Sequence, residues 1–296
     1  MRAEIKKIQE MMETADYVTD PAIAMSVHLA MTLKKPLLIE GHAGVGKTEI
    51  AKVMARMLGT SLIRLQCYEG LDAAQALYEW NYPKQLLHIK LEESSTHSTS
   101  EKEAAIFSPP FLIRRPLLQA ISQPGAPPVL LIDEIDRADE EFEAFLLEVL
   151  SDFQITIPEL GTISAAAHKP VAVLTSNRTR ELHDALKRRC LYHWIGHPAL
   201  EREIEIVKVR VPGVPDRLAA QAAAFVRGLR RLDLAKPPGV AETIDWARAL
   251  TALGRQELDA EVVEQTLGSV LKYHEDLLAV RDATLQELVD EARAAR

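Results

Sequence analysis

Residues 41–48 read GHAGVGKT and follow the apolar run Pro36-Leu37-Leu38-Ile39-Glu40. The octet fits G-x-x-x-x-G-K-T in full, with a strand pattern before it and the helical pattern KTEIAKVMARML overlapping its end. Glycines let such a backbone curl so that its N–H groups point inward at an anion. The helix that opens at Lys47 adds its positive dipole end. A loop of this kind cradles phosphate, so Gly41, His42, Ala43, Gly44, Val45, Gly46, Lys47, Thr48 and Glu49 are candidate cofactor-binding residues. Lys47 would neutralise phosphate charge, and the Thr48 hydroxyl would take one position on a bound Mg²⁺.

Four more apolar runs of strand length follow: LIRLQC (62–67), VLLID (129–133), VAVLTS (171–176) and LYHWIG (191–196). Helical patterns separate most of them, which argues for an α/β fold with a parallel sheet covered on both faces. Residues 1–13 and AIAMSVHLAMTL, the latter begun by Thr19-Asp20-Pro21, read as two leading helices. The polar stretch 92–105 reads as a surface loop, and 154–168 as two short β segments around Glu159-Leu160-Gly161. After His197-Pro198 every segment carries helical period, broken at Pro212, Pro215 and Pro237-Pro238-Gly239. The expected division is therefore a nucleotide-binding domain over 1–197 and an all-helical domain over 198–296.

The balance of 43 acids against 35 bases, net charge -8, disfavours nucleic acid as the main partner. Cys67 and Cys190 sit in apolar runs and form no metal spacing, so buried reduced thiols are expected. The first residues lack a secretory apolar region, and no run approaches the ~20 apolar residues of a membrane span. A soluble, cytoplasmic protein is the expectation.

Asp133 and Glu134 end the third apolar run, where ligands of a parallel sheet collect. Asp133 would hold the metal shell, and Glu134 would orient and deprotonate an attacking water. A water-activating base belongs to a hydrolase and is not required by a small-molecule kinase. Asn177 ends the fourth run, where its amide could hold that water. Leu186-Lys187-Arg188-Arg189-Cys190 precedes the fifth run, and Arg189 could stabilise phosphoryl charge, acting in trans between packed subunits.

GHAGVGKT, LLIDEIDRAD, LTSN and LKRRC, in this order and with a helical C-terminal part, resemble AAA+ ATPases. DEIDRADEEFEAFLLEVLSDFQITI is similar to the corresponding stretch of the MoxR family, and QCYEGLDAAQALYEWNYPKQLLHIK and KPPGVAETIDWARAL look most like its carbon monoxide dehydrogenase maturation branch. The resemblance implies a P-loop AAA+ αβα core with a five-stranded parallel sheet, a C-terminal all-helical lid, and ATP with Mg²⁺ as cofactors. It implies a homo-oligomer, a hexameric ring, that remodels a metalloenzyme client with a von Willebrand A domain partner. Lys47 and Thr48 then match Walker A, Asp133 and Glu134 Walker B, Asn177 sensor 1 and Arg189 the finger. Arg137, in the D-E-I-x-R-A stretch, would also face a neighbouring site. The family's insertion would fall around 75–115 and its hairpin at 154–163.

One departure concerns the lid arginine of the family, whose place is taken here by Thr243 in Gly239-Val240-Ala241-Glu242-Thr243. Arg248 could substitute for it and reads equally as a solvated face residue. Tyr78-Glu79-Trp80-Asn81-Tyr82 reads as a client-gripping segment or, by spacing, as packing residues. The leading expectation is a client-remodelling ATPase. The alternatives are a nucleic-acid motor or clamp loader on the same core, which the acidic balance disfavours, and a P-loop kinase, which conflicts with Glu134 beside Asp133.

Overall fold

The computed structural model describes residues 2–92, 98–165, 169–283 and 285–295. The chain forms two compact units, one of residues 22–40 and 54–193 and the other of residues 1–21, 41–53 and 194–296.

The first of these units holds a five-stranded parallel sheet, all but Gly41, Trp194 and Ile195. Its strands are β1 (Leu37–Gly41), β2 (Leu62–Gln66), β5 (Val129–Asp133), β8 (Val171–Ser176) and β9 (Leu191–Ile195), in the order β2-β5-β8-β1-β9. β1 and β5 are buried along their whole length, as continuous apolar strands covered on both faces must be. In register, Glu40 lies beside Ser176, Leu174 beside Ile132, and Asp133 beside Gln66. The carboxyl ends of four strands therefore share one edge of the sheet. Leu38, Ile63, Leu65, Leu130, Ile132, Leu174 and the helical residues Phe142, Leu146 and Leu150 form one continuous core.

Between β2 and β5 lies an inserted subdomain. β3 (Tyr78–Trp80) pairs antiparallel with β4 (Leu112–Arg114), with Trp80 opposite Leu112. Tyr78 and Trp80 are packing residues, Trp80 buried edge-on against Phe107 at 5.3 Å. Tyr82 is not: it is 60% exposed at the start of the helix Tyr82–Leu91, which also leaves Leu86, Leu87 and Leu91 in solvent.

The expected surface loop over 92–105 needs correction, because Thr99–Ile106 is a helix. Ser98 and Glu101 form a capping box: the Ser98 Oγ accepts the Glu101 N–H at 3.3 Å, and the Glu101 carboxylate accepts the Ser98 N–H at 2.8 Å. Two helical donors are satisfied there by side chains. Residues 93–97 of that stretch lie outside the described residues. The hairpin forms as read, β6 (Gln154–Ile157) against β7 (Gly161–Ser164), whereas 166–168 of the expected segment also lie outside them.

In the second unit the residues after 198 are helical, with Leu200–Arg210, Asp216–Leu229, Val240–Ala252, Ala260–Thr266, His274–Ala283 and Leu285–Ala294. Phe225 and Trp246 sit at the centre of its core, ring centroids 5.2 Å apart. The Trp246 indole N–H donates to the Thr266 hydroxyl at 2.8 Å, so its one polar atom is paired. Among the described residues no helix is long and apolar enough to cross a membrane. Trp246→Ala removes a fully buried ring and should cost about 3–5 kcal/mol, read as a lower midpoint in chemical denaturation followed by circular dichroism.

Candidate functional site

The phosphate loop lies in the second unit. Gly44 and Gly46 adopt φ of +74° and +93°, a backbone that L side chains rarely take. The helix Lys47–Leu58 starts immediately after them. Lys47 is 7% exposed, and its ammonium donates to the carbonyls of Gly41 (2.8 Å) and His42 (2.6 Å). The cation is thus folded over the loop at the helix N-terminus, where positive charge and N–H groups favour an anion. Thr48 and Val45 are half-buried. Glu49 turns its carboxylate to Lys52 (3.2 Å) and Arg210 (3.1 Å). Burial raises that carboxyl, but the two cations together outweigh it and hold it below the ordinary carboxylate range.

The same loop is packed against the start of the helix Val240–Ala252. The Ala241 N–H donates to the Gly44 carbonyl at 3.0 Å. A Cβ at Gly239 would meet the Ala43 oxygen at 2.6 Å and the Gly44 Cα at 3.0 Å, so the two backbones approach as closely as glycine permits. The exposed His42 ring stacks on His197, centroids 5.0 Å apart and planes 5° apart, with Trp194 edge-on to His42 at 5.6 Å. Burial, then the Arg230 and His42 charges, bring the His197 imidazole down from 6.5 to about 4.

The acidic pair lies in the first unit. Asp133 is buried at the end of β5, with 3% side-chain exposure. Its Oδ1 accepts the Thr175 hydroxyl at 2.5 Å, and its Oδ2 accepts Nε (3.0 Å) and Nη2 (2.5 Å) of Arg64. Glu134 follows in a left-handed turn, φ +55° and ψ +50°, with its N–H bonded to the same Thr175 hydroxyl at 2.9 Å. A left-handed glutamate is uncommon and costs of order 1 kcal/mol or more. The turn carries its carboxylate out to 34% exposure, where Arg137 (3.1 Å) and the Gln66 amide (3.1 Å) both donate to Oε2. One carboxylate is therefore sequestered and the other presented to solvent, an arrangement that lets two acids take different roles.

Residues 36–190, just over half of the chain, match the AAA domain, dynein-related subfamily. The chain belongs to that AAA family. AAA domains bind nucleotide and hydrolyse ATP, and they commonly assemble as rings. An uncharacterized protein of Staphylococcus haemolyticus is 24% identical over 241 residues, 79% of this chain and 82% of that one. Among solved structures, RuvB of Thermotoga maritima, described as a Holliday junction branch migration motor, aligns with TM-score 0.44 and 20% identity over 83% of this chain, which spans 66% of its length. A candidate ATPase from Cytophaga hutchinsonii gives 0.47 and 13% over 100% of this chain and 94% of its own.

In this AAA domain Asn177 follows β8 directly, and its backbone N–H donates to Asp136 at 3.2 Å. Asp136, passed over in the sequence, also accepts the backbone N–H and hydroxyl of Thr179 (2.9 and 2.7 Å), which pins the turn that follows Asn177. Arg189 is exposed at the end of the helix Asp184–Arg189 and donates Nε to Ser151 at 2.8 Å. Thr243 is fully buried and donates its hydroxyl to Glu203 (2.7 Å), which Arg230 holds through two nitrogens at 2.6 and 2.8 Å. Arg248 is exposed and bonded to Asp245 and the Arg210 carbonyl, both at 3.2 Å. Cys67 is buried, its thiol pushed up to about 12 by burial and by the nearby carboxylates, and its N–H bonds the Asp133 carbonyl at 2.9 Å. Cys190 is only half-buried, since it ends its helix at the surface.

Arg64, Gln66 and Thr175 are the hydrogen-bonding neighbours of the acidic pair that motif reading missed. Arg64 and Gln66 stand at alternate positions of β2, with Ile63 and Leu65 buried on the other face. That period of two was the available signal.

Gly239→Ala should push the loop backbone aside and lower ATP affinity about tenfold, at a stability cost of about 1–3 kcal/mol; equilibrium titration with a fluorescent ATP analogue measures it. His197 predicts a pH slope. Below pH 6.5 the unfolded chain takes up a proton that the folded chain refuses, so stability should fall between pH 6.5 and about 4. Melting temperatures across this range should drop less in His197→Phe.

Proposed function

We propose that this AAA domain is a Mg-ATP-hydrolysing remodelling ATPase of MoxR type, acting in metalloenzyme maturation. The observation that carries the hydrolytic reading is the division of labour between buried Asp133 and presented Glu134. In this reading the chain works as a nucleotide-binding part, residues 1–197, and a helical lid, residues 198–296.

Asp133 and Thr48 offer oxygen donors only, the chemistry a hard divalent ion prefers, and among the described residues no cluster of three His, Cys, Asp or Glu side chains could serve as a separate metal cage. By the motif reading, Mg²⁺ would be held by the Asp133 carboxylate, the Thr48 hydroxyl and substrate phosphates. The ion would supply positive charge to the phosphate oxygens. Lys47 neutralises the β- and γ-phosphates, with the loop N–H groups around them. Glu134 takes the proton of the attacking water, and Asn177 orients that water. Arg189 reaches a neighbouring protomer of a hexameric ring from its exposed helix end, where Ser151 and a long carbonyl contact (3.4 Å) hold it in the single chain. Arg137 balances the charge on Glu134 until that site engages.

The client reading rests on the likeness of the segments 66–90 and 236–250 to the carbon monoxide dehydrogenase maturation branch. It brings a von Willebrand A domain protein and a metalloenzyme client as partners. Phosphate release unaffected by added DNA supports this reading, whereas strong stimulation would turn it toward a nucleic-acid motor.

Lys47→Ala should abolish ATP binding, and Glu134→Gln should bind ATP while hydrolysing it at least about a hundredfold more slowly. Wild-type turnover in Glu134→Gln removes the assignment of the base. Arg189→Ala should lose turnover, and mixing it with Lys47→Ala should restore part of it, because each variant supplies what the other lacks across a junction. Partners retained by Glu134→Gln in the presence of ATP identify the client.

A further inference from the structure

The Asp133 carboxylate already holds a cation. Arg64 reaches it from β2, at the edge of the sheet, and gives two N–H bonds to a single oxygen, Oδ2, at 3.0 and 2.5 Å. A carboxylate oxygen offers about two lone-pair positions, so Oδ2 is filled. The other oxygen takes the Thr175 hydroxyl. The Arg64 side chain is 52% exposed while Asp133 is 3% exposed, so the guanidinium enters from solvent and has solvent to return to.

The contact extends further. The same Nη2 donates to the Gln66 side-chain oxygen, and the Gln66 amide nitrogen donates to Glu134 Oε2 at 3.1 Å. Asp133, Arg64, Gln66 and Glu134 thus form one hydrogen-bonded chain along the ends of two strands. Each link needs the side-chain orientation set by the one before it.

We propose that Arg64 is a built-in counter-cation for Asp133 that the divalent metal must displace, and that its departure loosens the hold of Gln66 on Glu134. This inference rests on the reading of Asp133 as a metal ligand. A divalent ion on that carboxylate would stand within a few ångströms of the guanidinium, and like charges so close in a half-buried setting repel strongly. In the absence of metal the pair offsets the charge of a buried anion. In its presence the guanidinium swings out along the exposed strand face, and the glutamate loses one of its two donors. The arrival of metal and the release of the base are coupled through one side chain.

The test titrates the nucleotide-free full-length protein with Mn²⁺, read by electron paramagnetic resonance, and follows the melting temperature in parallel. Arg64→Gln should lower the half-saturating Mn²⁺ concentration about tenfold, the equivalent of one charge-assisted pair. It should melt lower than wild type in chelator and regain that loss when Mn²⁺ is added. Arg64→Lys, whose ammonium cannot make the same two bonds, should fall between the two and serves if the Arg64→Gln variant does not fold. Asp133→Asn should abolish binding in every background and remove the melting difference that Arg64→Gln otherwise makes. Equal Mn²⁺ affinity in wild type, Arg64→Gln and Arg64→Lys, with loss in Asp133→Asn, overturns the role of Arg64 and leaves the metal site intact. Binding that ignores Asp133→Asn overturns the metal-site reading itself.

Discussion

A carboxylate sealed at the end of a sheet strand has to be satisfied, and Asp133 is satisfied from both neighbouring strands. β8 supplies the Thr175 hydroxyl and β2 supplies the Arg64 guanidinium. The register that sets Gln66 beside Asp133, and Ile132 beside Leu174, is what brings those donors into reach. Slip one strand by a single residue and every side chain changes face. Continuous apolar burial of β1 and β5 thus does more than stabilise the sheet. It fixes the register that holds a charged group where water cannot compensate it.

Much of this was legible in the chain. The five strands were visible because apolar runs of strand length are what a doubly covered parallel sheet demands, and the loop was visible because GHAGVGKT constrains backbone shape at adjacent positions. Other parts were hidden for physical reasons. β3 and β4 have three residues each and pair across more than thirty positions, so no local period marks them. The helix Thr99–Ile106 lacks an apolar stripe, and its S-x-x-E cap was the signal, obscured by the polar residues around it. The pairing of Arg64 with Asp133 spans 69 positions, and nothing in LIRLQC announces it except two polar residues two apart. The approach of Gly239 to Ala43 is likewise a property of two distant backbones.

The surroundings of Thr243 commit an arginine to structure. Thr243 stands where a charged side chain was sought, and it is enclosed by a buried pair, Arg230 with Glu203. A guanidinium there is committed to neutralising Glu203 and to the Pro238 carbonyl at 2.7 Å, which immediately precedes Gly239. The charge therefore shapes the segment that abuts the phosphate loop, through backbone position. The chemistry at this place is structural.

The sulfur of Cys67 lies in the strand-end crowd around Asp133, tethered to it by one backbone hydrogen bond, and its thiol stays protonated at any physiological acidity. An alkylating reagent in solution reaches it only when β2 and β5 part. The rate of thiol labelling therefore works as a clock for fraying at this edge of the sheet, built into the natural chain with no engineered probe.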